Sequence, residues 1–361
     1  MNILAINPGS TSTKVALYDR DKELTSKSLA HSSRELAHFP SIVDQLDFRK
    51  ATILEFLEEA GIDSPRQLDA AVGRGGLLRP LAGGVYAVNE IMKHDLHSGR
   101  YGSHASNLGA LIADQIAAEG DIPAFIVDPV VVDELAPLAR YSGVPEIPRR
   151  SLFHALNQKS TAKRAAHKLG KAYTDCNLIV AHMGGGTTVG IHQKGSVVDV
   201  NNGLDGDGPF SIERAGTLPP GDWMRYILQH SDDQVALMQK LTGKGGVVAY
   251  LGINDARKIE EIIQSGDAHP DAAKCLEVIE ALSYQIAKEI CALGGVVCGE
   301  VDAVVLTGGI AHYDRVVNDI SRRVSYLAPV MVFPGENELQ ALAQAVVEVL
   351  EGREQVQEYR G

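Results

Sequence analysis

The chain has 361 residues, with 34 basic and 46 acidic side chains and a formal net charge of −12. At roughly 100–200 residues per domain the length points to two domains, and 45% hydrophobic residues is ordinary for a globular chain with a large core. The acidic balance argues against nucleic-acid binding, which needs a basic stripe, and no apolar run approaches the roughly 18 residues of a membrane span.

The N-terminal Met1-Asn2-Ile3-Leu4-Ala5-Ile6-Asn7 has neither the basic flank nor the cleavage site of a signal peptide and reads as a strand. Ile3–Ile6 and Lys14–Tyr18 are strands joined by the turn Pro8-Gly9-Ser10-Thr11. Ile42, Leu46, Ile53 and Leu57 recur at helical spacing over Ile42–Ala60. Asp69–Val72 is a short strand leading into Arg74-Gly75-Gly76, Asn107–Glu119 a helix, and Ala124–Asp128 a buried strand ending on an acid. Pro129, Pro137, Pro145 and Pro148 crowd the aperiodic stretch up to Arg150, where the domain crossover is placed.

Beyond it, Leu152–Leu169 reads as a helix, Leu178–Val200 as a three-stranded meander, and Gln234–Ile263 and Ala272–Cys291 as mostly helical. Ala303–Leu306 is a buried strand closed by Thr307-Gly308-Gly309, and Glu338–Leu350 is a final helix. The class is mixed α/β. Cys176, Cys275, Cys291 and Cys298 show no C-x-x-C pair and no zinc spacing, and are expected to be buried free thiols of a cytoplasmic protein.

An internal repeat stands out. Sliding the chain by 175 residues lays Asn2 on Asn177, Gly9 on Gly184 and Thr13 on Thr188, with apolar positions in register between them. Each copy is a strand, a turn of small residues and a second strand. Consecutive N–H groups in such a turn form a nest suited to phosphate oxygens. Asn7–Lys14 adds the hydroxyls of Ser10 and Ser12 and the Lys14 ammonium, and His182-Met183-Gly184-Gly185-Gly186-Thr187 offers a like arrangement. Either turn alone reads as a tight hairpin, and neither fits a P-loop or a dinucleotide fingerprint. As a pair they suit two sides of one polyphosphate, with Gly308 and Gly309 giving close approach to a nucleoside.

N-x-G-S-x-S-x-K at Asn7–Lys14, H-x-G-x-G at His182–Gly186 and a strand followed by Gly308-Gly309-Ile310 resemble the acetate kinase family of the actin-like superfamily. Gly73-Arg74-Gly75-Gly76, Tyr101-Gly102-Ser103-His104 and the triple glycine 184–186 resemble its butyrate kinase branch. The resemblance covers nearly the whole chain. It implies a two-domain actin-like (ribonuclease H-like) duplicated α/β fold with mixed sheets and an interdomain nucleotide cleft. Residues 1–149 would form one domain, with the segment 335–361 packing back on it, and 150–334 the nucleotide-binding other. It implies ATP/ADP and Mg²⁺ as cofactors, a homodimer or larger homo-oligomer, and reversible phosphoryl transfer from ATP to a short-chain carboxylate. Butanoate is the first expectation, with acetate, propionate or isobutyrate as alternatives and an actin-like nucleotide switch as the alternative that is not an enzyme.

A small carboxylic acid is already ionised at neutral pH, so this chemistry needs no general base, only positive charge aimed at the transferring group. The resemblance assigns carboxylate and phosphoryl binding to Arg74 and Arg214, transition-state contact to His154, and a second active-site position to His104. It assigns magnesium to Asp128 and Glu338, with Glu336 a rival for the latter. The residues alone also allow plainer readings: surface ion pairs for the arginines, a core histidine at 154, a turn residue at Asp128. Asp205 and Asp207 lack the ligand series of a calcium loop and read as a turn.

Where acetate kinases carry two valines around the acyl pocket this chain has Gly75 and Gly76, where they carry leucine it has Ser103, and where they carry asparagine it has Gly185. The expectation is an enlarged acyl pocket at Gly75, Gly76 and Ser103, lined also by Phe153 and Pro209, in which Gly76→Val shifts preference from butyrate towards acetate.

Overall fold

The computed structural model describes residues 1–361, which form two compact units: residues 1–133 with 337–361, and residues 134–336. In the first, β1 (Asn2–Pro8), β2 (Ser12–Asp19) and β3 (Lys22–Ala30) make an antiparallel meander. β4 (Ala70–Arg74) joins β1 in parallel, β6 (Ala124–Val127) joins β4 in parallel, and β5 (Val85–Ala87) and the short strand Gln357–Glu358 complete the sheet. Leu4, Ile6, Val15, Leu17 and Ala71 pack with Ile53, Leu57, Leu108, Ile112 and Ile116 from the helices Leu46–Glu59 and Asn107–Gly120. The helix Glu338–Leu350 packs on β1 and β4.

The second unit carries β7 (Asn177–Met183), β8 (Thr187–Gln193), β9 (Ser196–Val200), β10 (Ala303–Gly308) and β11 (Val330–Pro334), in the order β11-β10-β7-β8-β9. Ile179, Ala181, Val304 and Leu306 face a core shared with the helices Ala272–Gly294 and Asp314–Val324. The alternate residues Leu178, Val180, Ala303 and Val305 pack on Ala162, Ala165 and Ala166 of the helix Ala155–Lys168. Burial on both faces is what turns these strands into continuous apolar runs.

The order β6-β4-β1-β2-β3 in the first unit matches β11-β10-β7-β8-β9 in the second. A finer detail repeats as well. Asn2 donates its backbone N–H to Asp69 Oδ2 (2.6 Å) and its side-chain amide to Gln67 O (3.0 Å), while Asp69 N–H returns to Asn2 O (2.8 Å). Asn177 does the same with Asp302 Oδ2 (2.7 Å), Glu300 O (2.8 Å) and Asp302 N–H (2.8 Å). The sequence offset of 175 is thus a repeat of structure, latch included.

Several elements differ from expectation. The stretch 134–149 belongs with the second unit, so the division falls at 133/134 and 336/337. Lys159 pairs with Glu134 (2.8 Å), Val197 N–H donates to Glu134 (2.7 Å), Ala136 N–H donates to Val198 O (2.9 Å), and Arg149 pairs with Asp199 (2.8 Å). Gln234–Ile263 is three helices, because Gly243 (φ 117°) and Gly252 (φ 67°) adopt left-handed backbone that breaks helical continuation. Only Cys176 and Cys275 are buried; Cys291 is half-buried and Cys298 exposed. No helix is long and apolar enough to cross a membrane.

Candidate active site

The β1–β2 turn is held from beneath by a cation. Arg49, fully buried on the helix Leu46–Glu59, donates to Gly9 O (2.8 Å), Ser10 O (3.2 Å), Ser12 O (3.2 Å) and Thr13 Oγ1 (3.1 Å), and doubly to Gln45 Oε1 (3.1 and 2.9 Å). Its partners are all neutral. Burial lowers its pKa, yet an arginine stays charged in proteins, so a full positive charge lies under the turn. With those carbonyls drawn inward, Ser10 and Lys14 remain exposed and Ser12 half-buried. Sequence reasoning missed Arg49. The signal was there: it occupies the apolar stripe of Leu46, Ile53 and Leu57.

The carboxyl ends of β1 and β4 meet the start of the C-terminal helix. Glu338 Oε2 accepts from Asn7 Nδ2 (2.5 Å) and from Arg74 Nη1 (3.2 Å), so buried Asn7 and Glu338 form one cluster with half-buried Arg74. Arg74 reaches this point because β4 and the helix Asn107–Gly120 touch backbone to backbone: a Cβ on Gly73 would stand 2.1 Å from Gly109 O. Asp128, at φ 37°, accepts from Gly84 N–H (2.7 Å) and is buried. His104 is exposed. Ser106 N–H donates to its Nδ1 (3.2 Å), which puts the imidazole proton on Nε2, and burial of part of the ring followed by the Arg74 charge lowers its pKa.

In the second unit the β7–β8 turn lies against Arg214. A Cβ on Gly186 would stand 2.1 Å from Arg214 Nη1, and the same nitrogen donates to Gly203 O. Ser211 Oγ–H (2.6 Å) and Glu213 N–H (3.1 Å) donate to Gly185 O and fix the turn, leaving Gly185 exposed between buried Gly184 and Gly186. Gly308 (φ 89°) passes Met183 O so closely that a Cβ would lie 2.3 Å from it; Gly309 is exposed with open space before it. His154 precedes the helix Ala155–Lys168, bonds Thr188 Oγ1 through Nδ1 (3.0 Å) and stacks on His182 at 3.8 Å.

The chain from residue 143 to 345 matches the model of the Acetokinase family. It is 51% identical over 99% of both chains to Butyrate kinase 1 of Clostridium acetobutylicum, and 48% identical, with the same coverage, to Butyrate kinase 2 of that organism. The chain belongs to the acetate kinase family. Its fold is that of the solved acetate kinases from Porphyromonas gingivalis (TM-score 0.78, 18% identity, 96% of this chain and 99% of that one) and Entamoeba histolytica (TM-score 0.76, 16% identity, 97% and 100%). The fold is thus the two-domain actin-like α/β class expected from the sequence.

Within this acetate kinase fold several expected site residues need correction. A Cβ on Gly75 would meet Pro129 Cβ at 2.5 Å, and one on Gly76 would meet Asn107 Cα at 2.5 Å. These glycines permit close packing; the bulk they lack is replaced by Pro129 and Asn107. Phe153 is 4% exposed and Pro209 is buried, so neither offers an open side chain, whereas Ser103 is exposed. Ser103 lines a cavity of about 270 Å³ with Ile42, Val43, Leu96 and Leu108, which neither Arg74 nor His104 lines. His182 (1% exposed) and Thr187 (3%) are buried in the β7–β8 ladder, so their side chains are closed to an approaching phosphate. Of the rival acids, Glu338 contacts Arg74, while Glu336 lies 3.6 Å from His182 Nε2.

Proposed function

We propose that this enzyme transfers the γ-phosphoryl group of ATP reversibly to butanoate, giving butanoyl phosphate and ADP. The observation that carries this reading is the 51% identity over 99% of both chains to a butyrate kinase. One carboxylate oxygen attacks phosphorus while the bond to the β-phosphate oxygen breaks, and no proton has to move because the acid is already ionised.

The work left to the protein is to bring two anions together. Lys14, the remaining N–H groups of the β1–β2 and β7–β8 turns, whose Gly9 and Gly184 N–H close the turns on Ser12 O and Gly186 O, and the charge of Arg49 are read as the polyphosphate grip. Arg74 and Arg214 are read as the groups that receive the carboxylate and the transferring phosphoryl, and His154 as a hydrogen-bond donor to it. Asp128 and Glu338 would hold Mg²⁺. Each is a hard oxygen ligand of the kind Mg²⁺ takes, Asp128 held by Gly84 N–H and Glu338 by Asn7 and Arg74, with water and phosphate oxygens to complete the shell. Bound there, the ion would neutralise phosphate charge. Exposed Met224, Leu228, Val235 and Met238 support a homo-oligomer.

Trapping the acyl phosphate with hydroxylamine across unbranched and branched acids of two to five carbons tests the reading. The largest kcat/KM is expected for butanoate; ATP turnover indifferent to any added acid overturns it.

A further inference from the structure

Tyr173, His192, Gln158, Thr188 and His154 form one continuous hydrogen-bonded line in the second unit. Tyr173 Oη lies 2.8 Å from His192 Nδ1 and His192 Nε2 lies 3.1 Å from Gln158 Oε1. Gln158 Nε2 lies 2.8 Å from Thr188 Oγ1, and Thr188 Oγ1 lies 3.0 Å from His154 Nδ1. His192, Gln158 and Thr188 are 0% exposed, so their polar atoms are satisfied inside the protein.

A single backbone carbonyl sets the direction of the line. Gln158 Nε2 also donates to Thr188 O (3.0 Å), and a carbonyl only accepts. The amide nitrogen therefore faces Thr188, and Gln158 Oε1 faces His192 and accepts from its Nε2–H. A neutral imidazole carries one N–H, so His192 Nδ1 accepts from the Tyr173 hydroxyl. Burial, with Lys159 adding to it, holds His192 neutral by pushing its pKa down to about 3. At the other end Thr188 Oγ1 accepts from Gln158, which leaves its hydroxyl hydrogen available to His154 Nδ1 at 3.0 Å. The donors of Tyr173, His192 and Gln158 thus all point towards His154, and a Thr188 hydrogen on His154 Nδ1 continues the line.

The stacked neighbour is fixed by the same logic with the opposite result. Asn157 Nδ2 donates to Glu336 O (2.9 Å), so Asn157 Oδ1 accepts from His182 Nδ1–H (2.8 Å). His182, stacked 3.8 Å from His154, thus carries a proton on Nδ1.

We propose that this one-way line locks His154 in its Nε2–H tautomer, with Thr188, Gln158 and His192 as positioning residues that keep a donor on His154 for an oxygen of the transferring phosphoryl group. The proposal rests on the reading of His154 as a ligand of that group. The other neutral tautomer would present a lone pair to an anionic oxygen. A fixed Nε2–H supplies attraction without a charged imidazole, so the donor persists where histidines are deprotonated.

The test uses the full-length protein labelled with ¹⁵N, in which long-range ¹H–¹⁵N correlations report the tautomer and His154→Gln identifies the signal. Wild type should show Nε2–H. Thr188→Val removes the hydroxyl while keeping shape and the backbone carbonyl. It should mix the tautomers and lower kcat at least about tenfold, with KM for ATP and butanoate changed less than about threefold. Thr188→Ser should restore both readouts. Tyr173→Phe breaks the line from its half-buried end and should shift the tautomer in the same sense. An Nδ1–H signal in wild type overturns the proposal, as does Thr188→Val or Tyr173→Phe with wild-type tautomer and kcat. If instead His154→Gln keeps wild-type kcat, it is the reading of His154 that fails, whatever the tautomer.

Discussion

Gly186 and Arg214 occupy each other's space: a Cβ on the glycine would stand 2.1 Å from Nη1 and 2.4 Å from Cζ of the arginine. What would be struck is the far end of a flexible side chain rather than backbone, and Gly186 does not have positive φ. Gly186→Ala should therefore fold, with stability within about 1 kcal/mol of wild type, while the guanidinium is pushed aside. If Arg214 stabilises the transferring phosphoryl, kcat should fall by roughly 10²-fold. Thermal melts and steady-state kinetics on the same preparation check both halves.

Gly76→Val should behave differently. Its Cβ would meet Asn107 Cα at 2.5 Å and Asn107 N at 2.9 Å, and Asn107 also ties down Leu77 N–H and Gly102 O. Overpacking of this kind costs about 1–3 kcal/mol or more. The expected outcome is a lowered melting temperature with the ranking of acids by chain length unchanged. A stable variant with a new preference for acetate would restore the acyl-pocket role for this glycine.

Acid should weaken the fold through His192. Its pKa falls from 6.5 to about 3 on folding, so the unfolded chain binds a proton that the native state refuses. Its contribution is complete above pH 6.5 and is lost as pH drops towards 3, at about 1.4 kcal/mol per unit. Urea unfolding at pH 7, 6 and 5 should show wild type losing stability faster than His192→Gln. Equal slopes would mean that this histidine is protonated in the native state.

Arg49→Met should loosen the β1–β2 turn. It leaves the carbonyls of Gly9, Ser10 and Ser12 facing a methionine, at a cost of about 2–4 kcal/mol. Amide exchange over residues 9–13 should accelerate more than in the β7–β8 turn, and KM for ATP should rise. Arg49→Lys retains the charge but not the fork, so it should recover nucleotide affinity better than turn rigidity.

Much of the architecture is legible because the same chemistry is written twice. Asn2 and Asn177 open the two copies, small residues mark both turns, and fully buried strands such as Ala303–Gly308 read as apolar runs. β3 is exposed along most of its length, which leaves no hydrophobic pattern to find. Arg49 and His192 were hidden for another reason: a polar residue at an apolar position shows its purpose only once its partners, 40 residues from Gly9 or 34 from Gln158, are in place. Gly75 and Gly76 mark the limit of comparing side-chain sizes. Loss of bulk is visible in a sequence; the neighbour that moves in is not.

The discontinuous first unit sets an order of events during synthesis. Residues 134–336 are contiguous and can collapse while the chain is still growing, whereas the first unit waits for 337–361. Until Glu338 emerges, Asn7 and Arg74 lack the carboxylate that joins them. A nascent chain halted before that point would hold all of residues 134–336 but leave Asn7 and Arg74 without the carboxylate they share in the finished protein.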